Sequence, residues 1–287
     1  MNVSRILFLL VGLTCAGAAR AGTLYAVDSN TDSLYTVDKT TGAAALLGST
    51  GQEITQGGLV FDSSTGRLIA SNLFVQGSID ARGIGSTTPG NATLSAPNDY
   101  ALSLFVPSLA YHAPSDTLYG LSTNPYQLQT IDRVTGATSF GPVPGADPPT
   151  VVDLIAIAFS PNGATLYGVS QFGFHLVDRT TAHITPIGPH GLDLNPNLGA
   201  GLTFDPDDGI LYLSNATNGD LYRIDPATGV ATRIGATGIS RPSGIAAVRG
   251  ATVEVPTLGQ VGLIALAILI GAMGALLLKR RFALVRG

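Results

Sequence analysis

The 287-residue chain contains no tryptophan and one cysteine, Cys15, which lies in the apolar stretch at the N-terminus. A lone thiol leaves no disulfide framework and no dithiol redox centre. Charge is also scarce. Fifteen Lys and Arg stand against 19 Asp and Glu, together 12% of the residues. Six of the cations, Arg5, Arg20, Lys279, Arg280, Arg281 and Arg286, sit in the two terminal segments. Residues 22–254 therefore carry nine cations against all 19 acids. An acidic, sparsely charged body is a poor partner for nucleic acid, whose affinity rests on neutralising phosphates. Several local signatures of chemistry are missing as well: there is no HExxH, P-loop, GxGxxG or GxSxG. The four histidines, His112, His175, His183 and His190, form no metal-ligand spacing.

What is present begins at the two ends. Arg5, the apolar run Ile6 to Val11 and the small-x-small exit Ala19-Arg20-Ala21 have the three zones of a secretory signal peptide, expected over residues 1–21. Residues 261–278 are 18 in number and carry no charge, and Lys279-Arg280-Arg281 follow them. That length reaches the lower limit for crossing about 30 Å of hydrocarbon, and the basic flank reads as a cytoplasmic tail over 279–287. The expectation is an exported protein of the cell envelope, with one transmembrane helix at 261–278 and a linker at 251–260.

Between the ends, one phrase recurs five times. Its second strand appears as Leu24-Tyr25, Leu68-Ile69, Leu118-Tyr119, Leu166-Tyr167 and Leu211-Tyr212. An aspartate closes the third strand, read at Asp38, Asp80, Asp132, Asp178 and Asp225. Two markers in phase at intervals of 40–50 residues define a repeat of four short strands, which is the size of a β-propeller blade. Asp-x-x-Thr-Gly at 38–42, 132–136 and 225–229 reads as a turn capped by Asp, with Gly at the positive-φ position. The first unit lacks its opening strand, and Ser243 to Val248 supply one at the far end. The expected fold is all-β: a five-bladed propeller over 22–250, closed by pairing of its N- and C-terminal strands. The stretch 86–107 is expected to be a long loop joining blades.

Two resemblances follow from these motifs. The blades resemble the YVTN and NHL-like propeller repeats of exported bacterial proteins, which implies a fold and leaves function open. Val255, Pro256, Thr257, Leu258 and Gly262, ahead of the apolar run and basic end, resemble the IPTL-CTERM sorting signal of Gram-negative bacteria. That resemblance implies handling by an exosortase-type processing enzyme and delivery to the cell surface.

In a propeller, the loops between strands two and three and those joining blades share one face, where polar residues are site candidates. These are Asp99, Tyr100, Asp153, His190, Asp193, Asn195 and Arg241. The bland alternative for each is a solvated loop residue or turn cap. His175 and His183 flank an expected turn and read as an ordinary strand pair. Asp205 to Gly209 reads as a hairpin turn and not a calcium loop, because its Gly is fifth. The leading functional expectation is a surface-displayed binding or structural module with an extracellular ligand, no cofactor and no metal. The alternative is a metal-dependent lactonase-like hydrolase. It needs acids at several inner-strand ends, where the sequence supplies only Asp153. A quinone-dependent redox propeller lacks its Trp-rich blades.

Overall fold

The computed structural model describes residues 22–75, 82–97, 105–123, 127–141, 145–146, 150–151 and 153–250. Ala21–Gly250 form one compact unit. The segments 1–21 and 251–287, including the sorting motif and the apolar run, lie outside the described residues. Among the described residues, no helix is long and apolar enough to cross a membrane.

The architecture is all-β. Strands β1 (Thr23–Asp28), β2 (Ser33–Val37) and β3 (Ala44–Ser49) belong to blade one, and β4 (Leu59–Asp62), β5 (Arg67–Phe74) and β6 (Arg82–Thr87) to blade two. Blade three comprises β7 (Phe105–His112), β8 (Thr117–Thr123), β9 (Gln127–Ile131) and β10 (Thr138–Phe140). A two-stranded pair, β11 (Gly145–Ala146) and β12 (Thr150–Val151), stands in the loop that follows. Blade four comprises β13 (Leu154–Phe159), β14 (Leu166–Ser170), β15 (Phe174–Val177) and β16 (Ile184–Gly188). Blade five comprises β17 (Ala200–Phe204), β18 (Leu211–Asn215), β19 (Asp220–Ile224) and β20 (Ala231–Ala236). The last strand, β21 (Pro242–Val248), returns to blade one, whose order is β21-β1-β2-β3. Tyr25 opposes Ala246 and Ala26 opposes Ile245, so the chain's two ends complete one sheet. The inner strands adjoin in a ring: β21 meets β4, β4 meets β7, β7 meets β13, β13 meets β17, and β17 returns to β21.

The recurring Leu-Tyr pair has a packing reason. Successive strand residues point to opposite faces, and here both faces are buried against neighbouring blades. Leu211 joins the apolar cluster between blades four and five. Tyr212 joins the cluster between blades five and one, together with Leu24 and Ile245. Tyr25 joins the cluster between blades one and two with Leu68, while Ile69 joins the one between two and three with Leu118. A fifth cluster, with Leu121, Leu154 and Ile157, fills the seam between blades three and four. The core is thus five apolar seams and not one central mass.

Turns carry the rest. Asp38 Oδ1 accepts from the N–H groups of Thr40 and Thr41 at 2.7 and 2.9 Å, and Gly42 takes φ +82°. The Thr40 hydroxyl and these backbone donors hold the Asp38 carboxyl down to about 2. Blade four breaks this rule: Ala182 occupies the glycine position with φ +55°, and its methyl is fully buried between blades three and four.

The residue after the closing aspartate reaches back to the preceding blade. Lys39 pairs with buried Asp205 at 2.5 Å, Arg133 pairs with buried Asp62 at 2.5 Å, and Arg179 Nη1 lies 2.7 Å from His112 Nε2. The same position is a proline in blade five, Pro226. These contacts latch three of the five seams on the face of short turns.

Two readings of the sequence need correction. Ile79-Asp80 lies outside the described residues, and the third strand of blade two is Arg82–Thr87. In blades one, three, four and five the Leu of the marker pair opposes the last residue of strand three: Val37, Ile131, Val177 and Ile224. Leu68 opposes Thr87, so the closing position of blade two is Thr88 and not Asp80. The 86–107 stretch is accordingly shorter as a loop, because it gives two residues to β6 and three to β7. His175 and His183 do not form a pair. His175 opposes Pro186, while His183 sits at the turn, its carbonyl accepting from Asp178 N–H at 2.8 Å.

Candidate functional site

The wheel has two unlike faces. On one, the inner strands end in short turns around an aromatic-rimmed mouth of about 130 Å³ that includes Phe61, Tyr111, Phe159 and Phe204. On the other, the loops that enter the inner strands converge. The tightest approach there is made by glycines. A Cβ on Gly244 would lie 2.5 Å from the Gly57 carbonyl oxygen, and one on Gly58 would lie 2.8 Å from the Leu109 nitrogen. These contacts draw the inner strands together at this end of the ring. Among the described residues, no group of three or more His, Cys, Asp or Glu is placed to hold a metal.

The loop face carries a polar cleft of about 310 Å³, lined by Ser29, Asn30, Asp32, Glu53, Gln56, Asn197 and Arg241 among others. Four loops build it: the β1–β2 turn and the loops that enter β4, β17 and β21. The β1–β2 turn is shaped by Asp28, which accepts from Asn30 N–H at 2.9 Å and from Arg241 N–H at 3.0 Å. Asp32, at φ +51°, accepts from Ile54 N–H at 2.8 Å and so fixes the loop between blades one and two. Gln56 is held at φ +47° while its carbonyl accepts from Asn72 Nδ2 at 3.1 Å. The side chains of Glu53 and Arg241 are exposed at the rim. The result is a preorganised polar surface with both signs of charge and several amide and hydroxyl groups, suited to holding a small polar ligand by hydrogen bonds.

Of the candidates read from sequence, Arg241 lines this cleft. Asn195 supports it: its Oδ1 accepts from Asn197 N–H at 2.9 Å, and its carbonyl accepts from Leu198 N–H at 3.0 Å. Asp193 is exposed, with its carbonyl accepting from Asn215 Nδ2 at 3.0 Å. Asp153 is exposed just ahead of β13. His190 is buried and both its nitrogens are occupied, by the Ser170 carbonyl at 2.9 Å and by Leu192 N–H at 3.0 Å. It lies beside His175, whose Nε2 is 2.9 Å from Ser170 Oγ. Burial, and then the nearby His190, push the His175 imidazole below its ordinary range. Asp99 and Tyr100 lie outside the described residues. Asp32, on the β1–β2 turn, and Glu53 and Gln56, between β3 and β4, are not among the candidates read from sequence. Their signal was available in the closure argument, which brings residues near 28 beside residues near 242.

These features define a β-propeller built from repeated blades. Residues 87–251, more than half of the chain, match the model of a family described as a repeat of unknown function (DUF6923), and the chain belongs to that family. No curated protein matches it. Two solved structures are similar in outline. A chain in the crystal structure of a nidogen/laminin complex is 13% identical, with TM-score 0.48, over 79% of this chain and 98% of that one. A structural-genomics protein of unknown function from Bacteroides thetaiotaomicron VPI-5482 is 16% identical, with TM-score 0.43, over 75% of this chain and 50% of that one.

Proposed function

We propose that the protein is a binding or structural propeller displayed on the cell envelope, with the loop-face cleft as its recognition surface. Residues 1–21 direct export, residues 261–278 anchor the chain, and Val255 to Gly262 present it to an exosortase-type processing enzyme. One observation supports this reading above others. Thr23 opposes Val248, and Gly250 N–H donates to Asp207 Oδ2 at 2.7 Å, so the propeller's two ends leave by the turn face. The chain thus reaches Gly250 on the face opposite the cleft. Conformational economy agrees: the cleft stands on loops held by part-buried hydrogen bonds, so a ligand meets a largely formed surface.

The test is fractionation of cells that express the full chain. The account expects recovery in the envelope fraction, and release when residues 255–287 are deleted. An Asn197→Cys variant should react with an impermeant maleimide on intact cells. Recovery of the intact chain in the cytoplasm would overturn the proposal.

A further inference from the structure

Blade two departs from the repeat, and the departure opens a second cavity. No fourth strand is described there. Residues 91–97 run beside β6 and touch it through Ser95, whose N–H donates to the Ser86 carbonyl at 2.9 Å and whose Oγ accepts from Ser86 N–H at 3.0 Å. Between this edge and the turn of blade three lies a groove of about 370 Å³. Its floor is Ile69 and Ile84, both buried, and exposed Val134 stands on the far wall. Arg67 lies at its rim, where the strand-two position before Leu is Thr23, Thr117, Thr165 and Ile210 in the other blades.

Arg67 is held but not neutralised. Its Nε donates to Ser86 Oγ at 2.8 Å and its Nη2 to the Ser86 carbonyl at 3.1 Å. Among the described residues its guanidinium pairs with no carboxylate. The second cation at the groove, Arg133, is committed to Asp62 and Asp116. The Asp62 carboxylate is in turn saturated by Ser64, Thr65 and Arg133. The groups left over at the Ser86–Ser95 edge are therefore donors: the outer amino group of Arg67 and the hydroxyl hydrogens of Ser86 and Ser95. A fixed guanidinium beside two hydroxyls matches a planar carboxylate, and the adjoining isoleucines match an aliphatic chain.

We propose that this groove between blades two and three binds a small aliphatic carboxylate, its head on Arg67, Ser86 and Ser95 and its chain over Ile69 and Ile84. The source of that head group, a free acid or the C-terminus of a peptide, is separable by experiment. The full-length chain in nanodiscs is treated with phenylglyoxal, and modification of each arginine is followed by peptide mass spectrometry. Hexanoate should slow modification of Arg67 about twofold at a concentration equal to its dissociation constant and leave Arg241 unchanged. Hexanol should protect neither. Acetyl-leucine protecting better than hexanoate would assign the peptide terminus; the reverse would assign the free acid. Ile84→Trp, which fills the floor, should abolish the advantage of hexanoate over acetate. Equal protection of Arg67 and Arg241, or none at Arg67, would overturn the proposal.

Discussion

Ala26 lies directly opposite Ile245 in an antiparallel ladder that joins the beginning of the propeller to its end. Both side chains are buried in the seam between blades five and one, with Leu24, Tyr212 and Leu221. The outermost strands of the chain therefore carry core contacts, and fraying of one end exposes two blades. Ile245→Ala should cost about 3 kcal/mol, as large-to-small changes in sealed cores do. Urea unfolding, compared with Val230→Ala on an exposed residue, checks it; the latter should change stability by less than about 0.5 kcal/mol.

The Lys39–Asp205 latch is a buried half-pair, since Asp205 has no exposure and the Lys39 side chain is 14% exposed. Removing the cation alone leaves an unpaired buried carboxylate. Lys39→Met should therefore destabilise by about 3 kcal/mol, and Lys39→Met with Asp205→Leu should recover most of the loss. A double-mutant cycle on thermal unfolding measures the coupling.

Acid should weaken the wheel before its carboxylates titrate. Burial, followed by the Arg179 charge, holds His112 below its usual range, and burial with His190 does the same to His175. A depressed histidine is protonated more readily in the unfolded chain, so the folded state is favoured above about pH 6.5. That advantage is lost as pH falls from there through the folded values. A second loss follows at lower pH, where Asp62 and Asp220, both held below the ordinary carboxylate range, take up protons. Urea midpoints at pH 7.5, 6.5 and 5.5 should fall stepwise, and His112→Gln should flatten the first step.

Arg241 is exposed and its side chain stands at the cleft rim, while its backbone is what ties the loop to Asp28. Arg241→Glu should leave stability within about 0.5 kcal/mol of the parent while inverting the charge at the cleft. Pull-down from envelope extracts, compared between parent and variant, should show a changed set of retained small molecules by mass spectrometry. An unchanged set would remove Arg241 from recognition.

The blade count and the closure were legible in the sequence because Leu-Tyr and Asp-x-x-Thr-Gly are repeated solutions to one packing problem. The Leu and Tyr fill opposite seams, and the Asp and Gly make one turn. Blade two departs from that solution: Thr88 stands where the repeat leads one to expect Asp, and β6 begins at Arg82 where β5 ends at Phe74, a wider separation than between the second and third strands of the other blades. The cleft was half legible. Arg241 and Asn195 are among the residues read from sequence, but Asp32, Glu53 and Gln56 are not, since their place depends on four loops meeting across the ring. His190 gave the opposite lesson. A polar residue on a long loop was turned inward to serve the Ser170 carbonyl, and no local pattern distinguishes that use from a solvent-facing one.

The closed ring is tested most directly by a cross-link across its joint. A full-length Ala26→Cys, Ile245→Cys variant, oxidised at low concentration, should form an intramolecular disulfide and unfold at a higher temperature than its reduced form. Only intermolecular products, or free thiols at both positions in the folded protein, would contradict the closure and with it the shared loop face.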